Sequence, residues 1–177
     1  MGRKLIAVAL IVLVAFQGAQ FSAAASNKFL DAQAKVHYQI FQPASTGDLI
    51  LRLFELQSCG PTNEKSLVAI YGEARSIQIL QTDAKDKCSN PGLGVNVATA
   101  TINGNKATIV AFCDPANKTQ WKNCKTSDIH HYGGYAMWKV PATKSLHGSE
   151  IEVLVSGLTY SDLLKIARGM KAVSKQA

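Results

Sequence analysis

Short apolar runs separated by turn residues make up most of the chain, and within most runs apolar and polar residues alternate. A period of two residues is typical of strands in a sheet that has one buried face and one exposed face. We therefore predict about seven or eight mostly antiparallel strands, at positions 36–42, 49–56, 67–72, 76–82, 95–102, 105–113, 135–140 and 150–157.

The alternation also predicts which side chains share a face of each strand. In the first run, Val36, Tyr38 and Ile40 share one face, and Pro43 ends the strand. In the second run and the last run, the predicted apolar faces are Leu49, Leu51 and Leu53, and Val153 and Val155, with Arg52, Glu150 and Glu152 on the opposite faces.

Two hairpins stand out among the predicted strands. Asn103-Gly104 lies between two alternating runs, and both residues tolerate the positive φ that a type I′ turn requires. A second hairpin is predicted around 72–75, where glycine and polar residues separate two β-rich runs.

The period changes at the end of the chain, where 157–173 reads as an amphipathic helix. Thr159 is a predicted N-cap, Asp162 is placed to return a capping bond, and Leu158 and Leu163 are spaced as a hydrophobic staple. We expect one apolar stripe to cover a face of the sheet: Leu163, Ile166, Ala167, Met170 and Val173. The basic opposite side leaves contact with a membrane surface as an alternative.

Together these elements predict an α+β fold. A mostly antiparallel, curved β-sheet carries the C-terminal amphipathic helix packed on one face.

The N-terminus has the pattern of a secretory signal peptide. A basic pair precedes an apolar run over 5–16, and Ala23 to Ala25 fit a cleavage site after Ala25. The apolar run is shorter than a membrane span requires. We therefore predict a signal peptide over 1–25, a single domain over 26–177, and a secreted or extracytoplasmic location, periplasmic or extracellular.

Charge narrows the set of partners only slightly. The predicted signal peptide contains two of the 19 basic residues and none of the 12 acidic ones, so the remaining chain has a net charge of +5. No basic run is long enough to require nucleic acid, and we predict no specific nucleic-acid partner.

The four cysteines, an even number in a chain predicted to be exported, indicate two disulfides. Three pairings are open. We favour Cys113 with Cys124, which bracket a polar loop, and Cys59 with Cys88, each of which follows a strand-like run. A metal site is the competing interpretation, but no C-x-x-C spacing supports it.

No catalytic motif is present, and we predict neither a metal nor a cofactor. His37 falls in the first predicted strand and His147 in a turn, so both are interpreted as surface histidines. Enzyme activity would require a site that the fold assembles from distant residues.

The stretch HHYGGYAMW begins at His130 and concentrates functional side chains. In an extended segment, His130 and His131 point to opposite faces and do not bind one ion together. The glycine pair that follows suits a bend. Beyond it we predict Ala136, Trp138 and Val140 on one face, with Tyr135, Met137 and Lys139 on the other.

Several motifs, in the order in which they occur along the chain, resemble those of a group of extracytoplasmic bacterial domains of unknown function that are found in envelope proteins. They are KSLVAIYG with IQILQT, the hairpin VATATINGNKA, the strand GYAMWKV and the closing LTYSDLLKIARGM, which span most of 36–171. Such domains are similar in layout to periplasmic lipoprotein carriers and to related anti-sigma regulatory domains. The cysteine loop 113–124 departs from the pattern, and no catalytic residues come with the resemblance.

The resemblance implies a non-enzymatic binding module for a lipid, a peptide or another envelope component, held in an apolar groove under the C-terminal helix. Residues from Leu163 to Met170 would cap this groove. Tyr132 and Tyr135, beside the glycine pair, could rim it, and with Trp138, Leu163 and Met170 they are the candidate ligand-binding residues. The alternatives are that the same side chains fill an ordinary core, that the domain senses or contacts another envelope protein, or that it is an enzyme.

Overall fold

The computed structural model describes residues 27–59, 64–86, 88 and 94–174. The predicted signal peptide therefore lies outside the described residues. The helices are α1 over 27–33, α2 over Ile129–Tyr132 and α3 over Tyr160–Arg168. The strands are β1 Phe41–Pro43, β2 Leu51–Cys59, β3 Glu64–Gly72, β4 Ser76–Asp83, β5 Val95–Ile102, β6 Asn105–Ala111, β7 Gly134–Val140, β8 Ser149–Ser156 and β9 Met170–Ala172.

The described strands form two antiparallel sheets. A seven-stranded main sheet has the order β2-β3-β4-β8-β7-β6-β5, and a small sheet pairs β1 with β9. The predominantly antiparallel β-sheet with a C-terminal helix is therefore confirmed. Seven strands form the main sheet, and the small sheet contributes two more.

The hydrophobic core lies on one face of the main sheet, which we call the core face. Its strands contribute alternate residues such as Ile77, Ile79, Ile151 and Val153, all fully buried. The same cluster includes side chains from α1, from the segment 36–41, from α3 and from the end of the chain: Phe29, Ala32, Val36, Tyr38, Ile40, Phe41, Leu163, Ile166, Ala167, Met170 and Val173. We call the opposite face of the main sheet the outer face.

Two polar side chains on the core face, Gln81 and Ser149, are fully buried, and the Ser149 hydroxyl donates to the carbonyl of Gln39 at 2.6 Å. Gln81 accepts a hydrogen bond from the backbone N–H of Phe41 and donates one to its carbonyl, both at 2.7 Å. The Tyr38 hydroxyl lies 2.8 Å from the carbonyl oxygens of Lys65 and Gln81 and donates to one at a time. These bonds attach the segment before β1 to the main sheet without a strand pairing.

The local signals with the most specific chemistry are confirmed. Asn103 and Gly104 have φ angles of 49° and 81° between β5 and β6, as the predicted hairpin requires. Thr159 caps α3: its hydroxyl accepts from the Asp162 N–H, and the Asp162 carboxylate accepts from the Thr159 N–H. The predicted hairpin between β3 and β4 is also present.

The first strand was predicted over 36–42, but only Phe41–Pro43 is a strand, and it belongs to the small sheet. The alternation itself holds, because Val36, Tyr38 and Ile40 are buried and His37 is exposed. The alternation of apolar and polar residues therefore indicates which side chains are buried. In 36–40 they are buried because the segment crosses the core face, and not because it is a strand of the main sheet.

The predicted shared face of Leu49, Leu51 and Leu53 is wrong. A bulge places Leu51 opposite Tyr71 and Leu53 opposite Ile70, so the alternation shifts by one residue. Leu51 and Leu49 still pack against the core, whereas Leu53 is 37% exposed on the outer face.

The predicted C-terminal helix ends earlier than its apolar stripe. It stops at Arg168, and after Gly169 the chain becomes extended and pairs with β1. Hydrogen bonds from the N–H of Ala44 to the carbonyl of Gly169, and from the N–H of Val173 to the carbonyl of Ile40, flank this pairing. Met170 and Val173 are buried as predicted, but not as helical residues.

Replacing Gln81 with Leu tests the role of the buried amide. Gln81→Leu preserves the side chain's approximate size but leaves the backbone N–H and carbonyl of Phe41 buried without partners. We expect the free energy of unfolding to fall by about 2 to 4 kcal/mol. Chemical denaturation measures this loss.

Gln78→Leu is the matched control, because Gln78 lies three residues earlier on β4 and faces the outer side. We expect a change within about 0.5 kcal/mol for this variant. Equal losses in the two variants would contradict the proposed role of Gln81.

Candidate functional site

The loop between β6 and β7 is built on a disulfide. Cys113 and Cys124 are bonded, with their Cα atoms 5.8 Å apart, which confirms this predicted pairing. Cys88 is also disulfide-bonded, but the side chain of its predicted partner, Cys59, lies outside the described residues. Inside the loop, the Trp121 indole N–H donates to the carbonyl of Asp114 at 3.0 Å.

The chain after this loop is helical, where the sequence predicted an extended segment. His130 and His131 lie in α2 with ring centroids 5.2 Å apart, so the prediction that they point to opposite faces of a strand is wrong. The fully buried Ile129 anchors α2.

The glycine pair then turns the chain into β7. Gly133 has a φ of 85°, and a Cβ on Gly134 would lie 2.5 Å from the carbonyl oxygen of Val110. Both positions therefore require glycine, one for its backbone angle and the other for the close approach of β6.

A shallow cleft of about 360 Å³, widely open to solvent, lies between α2 and the start of α3. We call it the α2/α3 cleft. Its lining contains four hydroxyl residues, two imidazoles and one tyrosine: Thr126, Ser127, Thr159, Ser161, His130, His131 and Tyr160. Hydroxyl and imidazole groups donate and accept hydrogen bonds, and an aromatic ring offers a stacking surface.

The five side chains predicted to contact a ligand differ in their exposure to solvent. Tyr132 is 43% exposed on α2. The other four are buried: Tyr135, Trp138, Leu163 and Met170. Trp138, Leu163 and Met170 belong to the hydrophobic core cluster, so they are not brought together with Tyr132 at one surface.

The outer face of the main sheet holds a second polar group of side chains, around two glutamates of β8. Glu150 lies beside Lys139, with 3.0 Å between the carboxylate oxygen and the ammonium nitrogen. Glu152 is 3% exposed, and its Oε2 has no hydrogen-bond partner. The buried hydroxyls of Ser66 and Thr82, on β3 and β4, also lack partners.

Burial alters the acidity of Glu152. Removal from water, and secondarily repulsion from Glu150, raise the pKa of Glu152 from 4.5 to about 7. Burial and the nearby Glu152 carboxylate also raise the pKa of the Tyr135 hydroxyl. The centre of the outer face therefore contains a carboxyl group that holds its proton at mildly acidic pH.

A third group of polar side chains lies where β8 begins and β4 ends. The Nδ1 atom of His147 is 2.5 Å from a carboxylate oxygen of the buried Asp83, and the ring of His37 lies 6.2 Å from that of His147. No serine or threonine hydroxyl in the described residues forms a hydrogen bond with His147.

The chain finds no match among family models, curated proteins or solved structures. None of the helices in the described part of the chain has the length and apolar character of a membrane span. Within the same residues, no group of three or more histidine, cysteine or acidic side chains is arranged around a common metal position.

The sequence did not predict the contact between Asp83 and His147, nor the burial of Glu152. Asp83 immediately follows a predicted strand and His147 closely precedes another, so both were recognisable as strand-end residues. Their contact depends on β4 pairing with β8, which no local pattern specifies.

Stability should depend on pH through Glu152. The unfolded chain releases this proton near pH 4.5 and the folded chain near 7, so the folded state binds more protons between these values. We therefore expect the free energy of unfolding to fall by up to about 3 kcal/mol as pH rises from 4.5 to 7. Glu152→Gln, which stays neutral, should remove this contribution in denaturation curves recorded across that range.

Glu150→Gln is the control for this experiment. Because Glu150 is only the second cause of the shift, this variant should retain most of the pH dependence. If Glu152→Gln followed the wild-type pH profile, the carboxyl of Glu152 would not be its source.

Proposed function

We propose that the chain is a secreted, non-enzymatic binding domain and that the α2/α3 cleft holds its ligand. The ligand chemistry that fits is a hydroxyl-rich molecule, such as a saccharide. The observation that carries the proposal is the composition of the cleft, in which hydroxyl side chains, two imidazoles and a tyrosine line one open surface. Saccharides bind through hydrogen bonds to such groups and by packing on aromatic rings.

The framework around the cleft supports this assignment. The disulfide closes the loop before the cleft, Ile129 fixes α2 in the core, and Thr159 and Asp162 cap α3. Binding groups held on a fixed framework lose less conformational freedom when a ligand arrives. Because the cleft is open on one side, it suits one face of a longer chain better than an enclosed small molecule.

An apolar ligand under α3, as the resemblance implies, is less well supported. Leu163 and Met170 are at most 2% exposed and belong to the core cluster. In our proposal, α3 packs on one face of a curved sheet. A lipid bound beneath α3 would therefore have to separate this helix from the sheet. The α2/α3 cleft requires no such movement.

Nuclear magnetic resonance titration of the full chain tests the proposal. The probes are neutral hexose oligomers and N-acetylhexosamine oligomers at millimolar concentration. We expect shifts of backbone amides confined to 126–131 and 159–161. Ser127→Ala with Ser161→Ala should weaken binding by about 30-fold, because each of the two lost hydrogen bonds contributes about 1 kcal/mol.

A second cleft, between α1 and β2, provides the matched control. Lys28→Ala with Lys35→Ala changes two of its lining residues and should leave saccharide binding unaltered. Uptake of a fluorescent fatty acid, with shifts throughout the core instead of at the cleft, would contradict the assignment and favour the lipid groove.

A further inference from the structure

The loop between β6 and β7 contains a turn that is held by contacts within itself. The carbonyl of Asp114 accepts from the N–H of Asn117 at 3.2 Å, and the Asp114 carboxylate accepts from the N–H of Ala116 at 2.9 Å. The Cys113–Cys124 disulfide closes the loop at its base. Because the two hydrogen bonds join residues close in sequence, the turn requires no contact from a distant element.

Two side chains at this turn are hydrogen-bonded to each other. The Thr119 hydroxyl donates to the amide oxygen of Asn117 at 2.9 Å. Thr119 is exposed and Asn117 is half-buried. The other amide atom, Nδ2 of Asn117, donates no hydrogen bond to any described residue. The contact therefore holds the amide with its oxygen toward Thr119 and leaves its nitrogen available.

The sequence around these two residues is the acceptor pattern for N-linked saccharides, which is Asn-x-Ser/Thr with x other than proline. Asn117-Lys118-Thr119 is its only occurrence in the 177 residues. An attached saccharide is bulky and hydrophilic, so the folded chain accommodates it only at the surface. The exposed turn that contains Thr119 meets this condition.

The disulfides support the presence of this pattern in a compartment where it has a function. Structural disulfides form and persist in oxidising environments, which exported chains enter. Cys113 and Cys124 are bonded to each other, and Cys88 is also in a disulfide. The acceptor pattern is meaningful in a secreted protein, so the disulfides and the pattern favour the same environment.

We propose that Asn117 carries an N-linked saccharide and that Thr119 is a positioning residue for its attachment. This inference rests on the secretion that is part of the proposed function. Because Asn117 and Thr119 are two residues apart, their contact can form before the rest of the chain folds. A transferase of the export compartment therefore meets the amide already oriented by the hydroxyl.

The saccharide donor is an oligosaccharide linked to a lipid through diphosphate. Nδ2 of Asn117 forms a bond to the anomeric carbon of the sugar, and the bond from this carbon to the diphosphate oxygen breaks. The lipid diphosphate leaves with that electron pair, and one amide proton passes to a base of the transferase. No oxidant or reductant is consumed.

Secretion of the full chain from cultured eukaryotic cells tests the inference, because such cells supply the donor and the transferase. Intact-mass spectrometry of the secreted chain should show a species heavier than the polypeptide by one oligosaccharide. Peptide N-glycosidase in isotopically labelled water should remove the added mass and leave one labelled oxygen at position 117. Asn117→Gln should abolish the added mass completely.

Two variants of Thr119 test its positioning role. Thr119→Ala should abolish the added mass although Asn117 is unchanged, whereas Thr119→Ser should retain it because the hydroxyl is still present. A merely structural role for Thr119 would not make the modification depend on the hydroxyl.

Asn105→Gln is the matched control. Asn105-Lys106-Ala107 begins with the same two residues, but its third residue has no hydroxyl. The Nδ2 atom of Asn105 also donates to the carbonyl of Asn103 at 3.1 Å. We expect this variant to have the same added mass as the wild type.

A secreted chain with the mass of the polypeptide alone, or a label at another position, would overturn this inference and leave the proposed secretion intact. Retention of the chain inside the cells would overturn both. Added mass on the Thr119→Ala variant would contradict the role of Thr119. Circular dichroism of each secreted variant establishes that its fold is intact, so a loss of mass reports on the modification.

Discussion

The segment that crosses the core face depends on one buried side-chain amide. Gln81 gives the backbone of Phe41 the hydrogen-bond partners that a neighbouring strand would otherwise provide. Burying a backbone N–H or carbonyl without a hydrogen-bond partner destabilises the fold by about 1 to 3 kcal/mol for each group. The Gln81 side chain satisfies both groups from the face of the main sheet rather than from its edge. The chain can therefore cross a buried surface at this point without joining the sheet.

This crossing organises the two ends of the molecule. It holds β1 against the core, and β1 in turn supplies the partner for β9 after α3 ends. It also brings His37 to the end of the main sheet where β4 finishes and β8 begins. The α2/α3 cleft forms at the other end, where β7 begins and β8 ends. The contact between His147 and Asp83 and the α2/α3 cleft share a scaffold but no side chains.

What the sequence predicted correctly has a physical reason. Alternation identified most strands of the main sheet because burial of one face imposes it. Asn103-Gly104 and the cap at Thr159 were specific because a few adjacent residues determine the geometry. Where the predictions were wrong, a distant partner decided the outcome. The stripe ending in Met170 and Val173 fits a helix, but pairing with β1 makes this segment extended.

The candidate sites were less predictable than the fold, for the same reason. HHYGGYAMW was recognisable as a concentration of functional side chains, but its conformation depends on Ile129 being anchored in the core. The contact between Asp83 and His147 joins residues 64 positions apart, and it exists only because β4 and β8 are neighbours. Alternation shows which residues are buried, whereas the order of strands decides which polar residues meet.

Two carboxyl groups respond to acidity in opposite directions. The proton that Glu152 retains contributes to the stability of the folded chain at mildly acidic pH, and deprotonation above about pH 7 places an unpaired charge in the outer face. Hydrogen bonds from Thr159 lower the pKa of the Asp162 carboxyl, so the stability that this helix cap contributes is lost as pH falls.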